Sequence, residues 1–118
     1  MAEAALCVTW GTPARGREKA ALNVFNESMQ YWGRLQQDGK IERFDVAMLA
    51  PSGGDLGGFI LARGTASQLD ALRRDSEFQE ILNRVQMIAD RVLINDAYVD
   101  EGLGQLIGVY DKVVTEFA

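Results

Sequence analysis

PSGGDLGGFILARGT, residues 51–65, places four glycines in the six positions from Gly53 to Gly58. A loop that cradles phosphate sets its glycines between a strand and a helix. Backbone N–H groups and the helix dipole then converge on the anion, usually beside a lysine and a hydroxyl. Here the glycines run into GFILARG, residues 58–64, an apolar segment of strand character, and no lysine with an adjacent Ser or Thr follows GGDLGG. The stretch is therefore read as a turn between two strands, where positive φ makes glycine the least costly residue. A connection of this length can also close over a ligand site.

The segments on either side extend this reading. Upstream, IERFDVAMLA (41–50) alternates, with Phe44, Val46 and Met48 on one face and Arg43, Asp45 and Ala47 on the other, the period of a half-buried strand. Downstream, Thr65 with Gln68 and Ser76 with Gln79 have the spacing of two capping boxes and predict two consecutive helical pieces. The second piece carries Phe78, Ile81, Leu82, Val85 and Ile88.

Before these elements, AALCVTW (4–10) reads as a strand stopped by Gly11 and Pro13. From Arg17 to Asp38 the period becomes helical. Leu22, Phe25, Met29 and Trp32 form a stripe widened by Ala21, Val24, Tyr31 and Leu35, and Gly39 ends it. RVLINDAYV (91–99) supplies a fourth strand. After Gly102, a last amphipathic helix presents Leu103, Leu106, Ile107, Tyr110, Val113, Val114 and Phe117. The order β α β β α β plus a terminal helix predicts an α+β, ferredoxin-like domain over residues 1–118. In it, right-handed crossovers place both main helices on one face of a four-stranded antiparallel sheet.

Composition narrows the functional classes. The 118 residues, 47 % hydrophobic, suffice for one core without metal or disulfide support. The lone Cys7 lies in an apolar strand and is read as a small buried hydrophobe, which fits a reducing cytoplasm. No segment approaches the roughly 20 apolar residues of a membrane span. With 12 basic and 17 acidic residues the net charge is −5, and the basic residues are scattered, so nucleic acid is a poor partner. The absence of histidine removes an imidazole base, histidine-held haem or zinc, and imidazole triads. No spacing gathers the carboxylates around a metal, and no cofactor is expected.

Both faces of the sheet look substantially apolar, one of them through Cys7, Ala47, Leu49 and their neighbours. A monomer rarely leaves such a patch in water, so a homodimer through the sheet face is expected. On its element order and the broken second helix around RRDSEFQEIL (73–82), the chain resembles the dimeric α/β-barrel superfamily of ferredoxin-like proteins. The resemblance implies two facing sheets with helices outside. It also implies a place among cofactor-free monooxygenases of the antibiotic-biosynthesis type, isomerases, or members without assigned activity.

The candidate ligand-binding residues are Trp10, Tyr31, Trp32, Arg43, Asp45, Arg63 and Asn95. Trp10, Tyr31 and Trp32 could line a pocket for a flat apolar ligand, or could simply be core. Arg43 and Asp45, two apart on one strand and joined by Arg63 from the next, could hold an anionic or carbonyl group with Asp45 as base. They could equally form an ion pair at the rim of a dimer interface. Asn95 and Asp96 must face opposite sides of their strand, one as a satisfied polar core residue or a ligand contact. Two functions compete: a cofactor-free monooxygenase or isomerase acting on a hydrophobic, aromatic substrate, and a noncatalytic dimeric domain for ligand binding or assembly.

Overall fold

The computed structural model describes residues 3–50 and 54–118. Its elements are β1 (Ala4–Trp10), α1 (Glu18–Gln37), β2 (Arg43–Met48), β3 (Gly58–Gly64), α2 (Ala66–Arg73), α3 (Ser76–Ile88), β4 (Leu93–Tyr98) and α4 (Asp100–Phe117). The strands form one sheet in the order β2-β3-β1-β4, with every neighbouring pair antiparallel. This is the α+β, ferredoxin-like order expected from the sequence.

Strand register decides which residues share a face. Val8 lies opposite Ile60 and Ile94, Leu6 opposite Ala62 and Asp96, and Val46 opposite Ile60. These positions, with Phe44, face α1, α2 and α3. The core cluster unites Leu6, Val8, Ile60 and Ala62 with Tyr31, Trp32 and Leu35 of α1, Leu69 and Leu72 of α2, and Phe78 and Ile81 of α3. Burying each of the larger aliphatic and phenylalanine side chains is worth about 1.5–3 kcal/mol relative to exposure, before chain entropy is counted. The opposite face carries Cys7, Ala47, Phe59, Leu61, Arg43, Asp45, Arg63 and Asn95, and none of the three core helices covers it.

The glycine-rich connection joins antiparallel neighbours, since Met48 pairs with Gly58 and the Leu49 N–H donates to the Gly57 carbonyl at 2.8 Å. Residues 51–53 lie outside the described residues. Gly57 and Gly58 serve a purpose other than positive φ. A Cβ on Gly57 would meet the Gly11 carbonyl oxygen, and one on Gly58 would meet the Ala47 carbonyl and the Trp10 ring at 2.7 Å each. Close approach of three backbone segments excludes a side chain there. Positive φ does occur at Gly39, 73°, where it closes α1.

The two expected capping boxes differ. At Thr65 the box is complete: its hydroxyl accepts from the Gln68 N–H at 3.1 Å, and the Gln68 side chain accepts from the Thr65 N–H at 2.9 Å. At the second break Asp75 occupies the N-cap and Ser76 already lies in the helix, so the expected box at Ser76 does not form. Gln79 donates instead to the Arg73 carbonyl, bridging the break between α2 and α3.

Candidate functional site

A cleft of about 350 Å³ separates α1 and α3 from one end of the sheet. Its floor is Val8, Trp10, Met48 and Ile60. One wall is the α1 stripe Leu22, Phe25, Met29 and Trp32, and the other is Ile81, Leu82, Val85 and Ile88 of α3. The helical spacing of four, three and four residues puts Glu18 at the start of that α1 stripe, on the same face. The volume falls within the range of small-molecule pockets, and the lining is overwhelmingly apolar.

Backbone hydrogen bonds close one end. The Gly11 N–H donates to the Asp90 carbonyl at 2.7 Å, Asp90 to Thr12 at 3.0 Å, and Ala14 to Ile88 at 2.8 Å. Pro13 and Ala89 form an isolated antiparallel bridge there and both line the cleft. Leu22 and Met48, also in the lining, are 60 % and 65 % exposed and form an open rim. Leu22 was expected on the buried stripe of its helix. It stands instead exposed at the mouth of the cleft.

Polar groups are few. The Ser28 hydroxyl donates to the Val24 carbonyl at 2.8 Å and so is already engaged. Glu18 is the ionisable residue among those lining the cleft, and its carboxylate accepts from the Gly16 N–H at 3.3 Å. Aromatic rings fix the walls: Trp10 meets Phe25 edge-on at 6.4 Å, and Trp32 meets Phe78 edge-on at 6.0 Å and Phe44 at 6.3 Å.

Of the residues singled out from the sequence, Trp10 and Trp32 line this cleft. Tyr31, the neighbour of Trp32, points about 100° away around the helix and is 1 % exposed. Its hydroxyl donates to Asp75 at 3.4 Å, and Arg34 stacks over its ring at 5.5 Å. Burial, reinforced by the Asp75 and Glu77 carboxylates, pushes the phenol well above its ordinary range, which keeps it protonated.

Arg43, Asp45, Arg63 and Asn95 lie on the opposite face of the sheet, separated from the cleft by the sheet itself. There the Arg63 guanidinium stands 3.7 Å from both Asp45 and Asp100. Its side chain is 18 % exposed, and its Nε finds no hydrogen-bond partner among the described residues. Asn95 sits opposite Cys7 in the register. Asp96, on the helix-facing side at the sheet edge, pairs with Arg73 of α2 at 3.3 Å. The candidates therefore divide into Trp10 and Trp32 at an apolar cleft, Tyr31 buried beside Asp75, and Arg43, Asp45, Arg63 and Asn95 on the open face.

Sequence reasoning treated Phe25, Met29, Leu82 and Val85 as ordinary core and did not single out Glu18. The available signal was the continuous α1 stripe from Glu18 to Trp32. What it does not encode is the gap between α1 and α3 at this end of the sheet.

No family model and no curated protein sequence matches the chain. Among solved structures it is similar to a dimeric ferredoxin-like protein of unknown function from Jannaschia sp. CCS1. That likeness has TM-score 0.65 and 14 % identity over 81 % of this chain and 99 % of that one. It is also similar to a dimeric protein of unknown function and ferredoxin-like fold from Bacteroides fragilis, with TM-score 0.64 and 10 % identity over 81 % and 95 %. A third is SnoaB, a cofactor-independent oxygenase from Streptomyces nogalater, with TM-score 0.57 and 12 % identity over 84 % and 95 %. At these identities the likeness is one of fold: the chain has the ferredoxin-like architecture that dimeric proteins and antibiotic-biosynthesis-monooxygenase-like proteins share.

Proposed function

We propose that this protein binds a small, flat hydrophobic molecule in the cleft between α1, α3 and the sheet. One observation carries the reading: a 350 Å³ cleft walled by aromatic and aliphatic side chains, with Trp10 and Trp32 both in its lining. Apolar clefts of this size bury most of a small ligand, and a few polar groups orient it. The reading is tested by following tryptophan fluorescence while titrating 1-anilinonaphthalene-8-sulfonate, alongside native mass spectrometry of freshly purified protein. Saturable quenching with one molecule per chain is expected, and Val85→Trp, which fills the cleft, abolishes it. Quenching that survives Val85→Trp places the ligand elsewhere and overturns the reading.

A catalytic role rests on Glu18. Cofactor-independent oxygenation and isomerisation both begin with removal of a proton from the substrate. Glu18 is the carboxylate placed to accept one at the cleft. The likeness to a cofactor-independent oxygenase supports this reading. Glu18→Gln then abolishes turnover of a bound acidic arene and leaves its affinity within a few fold. If binding is retained and no substrate is turned over by either protein, the cleft is a binding site without chemistry, the noncatalytic alternative.

The same proposal includes a homodimer through the open sheet face. Cys7, Ala47, Phe59 and Leu61 share that face, and Arg63, Asp45 and Asp100 form a charged cluster beside them. In this reading the charged cluster is an ion-pair network at the interface rim. The protein is proposed to act in the cytoplasm, as its single, half-buried cysteine suggests. No described helix is long and apolar enough to cross a membrane.

A further inference from the structure

Helix α4 is amphipathic, yet its apolar stripe meets nothing. Leu103, Leu106, Ile107, Tyr110, Val113, Val114 and Phe117 are all exposed, and Gly102 is its one buried residue. Beyond its first turn the helix stands clear of the core. The chain has a radius of gyration of 16.2 Å, whereas a compact chain of this length has about 13.5 Å. Eighteen residues make a rod of about 27 Å.

Such a helix does not hold itself together in water. In proteins most helical stability comes from packing an apolar face rather than from propensity. This one contains Gly104 and Gly108 in its interior and the β-branched residues Ile107, Val109, Val113, Val114 and Thr115. A partner must therefore cover it.

The root of α4 is fixed to its own sheet. A Cβ on Gly102 would collide with the Glu3 carbonyl, so the first turn sits directly on the chain leading into β1. Asp100 takes a left-handed φ of 50° as the chain leaves β4, and its carboxylate pairs with Arg63 of β3. This anchor aims the rod outward from the β4 edge. Uncovered apolar side chains of the sheet stand at both edges: Leu93 and Tyr98 on β4, and on β2 Val46 and Met48 of the helix-facing side with the following Leu49. Three strand spacings, about 14 Å, separate the two edges within one chain.

We propose that α4 packs on a second copy of this chain, across the β2 edge formed by Val46, Met48 and Leu49. The inference rests on the open-face homodimer. A two-fold axis parallel to the strands brings each β4 edge over the other copy's β2 edge, so one symmetry operation covers both unpartnered surfaces reciprocally. Size favours a second copy as occupant. Seven stripe residues of α4, three at the β2 edge and some twelve on the open face give each copy roughly the 20–30 residues of a stable interface. The open face alone falls short of that.

The test uses the full chain. In a 1:1 dimer of 13C-methyl-labelled and unlabelled protein, isotope-filtered NOEs are expected from the Ile107 methyls to Met48 of the second copy. Hydrogen exchange should show α4 amides protected in the dimer. Ile107→Glu combined with Val114→Glu alters two exposed residues, so β1 and β3 keep their protection while dimerisation weakens at least 100-fold and α4 protection vanishes. Purely intramolecular NOEs from Ile107, α4 amides exchanging at the rate of a free peptide, or an unchanged dimer in the double variant each overturn the arm. Leu61→Glu, on the open face, separates the two ideas. If it yields monomer while the α4 variant stays dimeric, the sheet-face dimer stands and the arm fails. A wild-type chain that is monomeric at all concentrations removes the dimer itself.

Discussion

Helices α1 and α4 are nearly the same length, 20 and 18 residues, and both carry an apolar stripe at helical spacing. Their fates differ completely. On α1, Tyr31, Trp32 and Leu35 are 1 %, 3 % and 4 % exposed, and ion pairs from Arg34 to Glu77 at 3.0 Å and Arg84 to Glu27 at 2.9 Å tie the helix to α3. On α4 the terminal aromatic, Phe117, is 86 % exposed. Amphipathicity thus states which face of a helix wants cover, and the connection that precedes the helix states whether its own chain can supply it. The loop before α1 returns over the sheet. The αL turn at Asp100 sends α4 away from it.

The sharpest way to break this contrast is to remove an aromatic from each helix. Trp32→Ala should cost about 3–5 kcal/mol in chemical denaturation, because it empties the centre of the ring cluster with Phe44 and Phe78. Phe117→Ala should leave unfolding of the monomeric chain within about 0.5 kcal/mol. A monomer destabilised by both changes would mean that α4 packs on its own core after all.

The next effect belongs to the junction that holds the cleft floor. Gly57→Ala forces a methyl group against the Gly11 carbonyl and should cost about 1–3 kcal/mol, with loss of Trp fluorescence quenching by cleft ligands. Gly104→Ala, on α4 where nothing lies within 4 Å of the added Cβ, should instead stabilise the helix or leave it unchanged.

Tyr31 sharpens the comparison through pH. Its folded pKa is raised, so the folded state holds the phenolic proton more tightly than the unfolded chain does. That contribution is fully present below the unfolded value near 10 and is lost as pH climbs above it. Thermal melts should show stability falling from about pH 10 upward, with a shallower fall in Tyr31→Phe.

The smallest effect is electrostatic. Arg84→Ala breaks an exposed pair with Glu27 and should cost at most about 1 kcal/mol, less at high salt. A larger loss would show that the α1–α3 ion pairs, rather than Trp32 and its neighbours, keep the two helices together.

Much of this architecture was legible in the sequence. Alternation in RFDVAM and helical spacing from Glu18 to Gln37 are local properties, set by which side chains share a face of a strand or helix. The turn reading of the glycine-rich segment was local too, since a strand and not a helix follows it. The site was only partly legible. Trp10 and Trp32 lie in the cleft, whereas Tyr31, one residue from Trp32, faces Asp75. Arg43, Asp45, Arg63 and Asn95 share a face, as strand alternation requires, but it is the face away from the cleft.

By itself, then, the sequence determined the order of strands and helices and, for most of them, which face is apolar. The tertiary structure alone decided that α1 and α3 stand apart at one end of the sheet to leave a cleft, and that Gly57 and Gly58 exist for close approach. It also decided that Arg63 lies between Asp45 and Asp100, and that α4 leaves its own chain uncovered. The physical reason is range. Periodicity and capping act within a few residues, while a cavity, a backbone contact between distant segments and an unpaired helix depend on how separate elements meet.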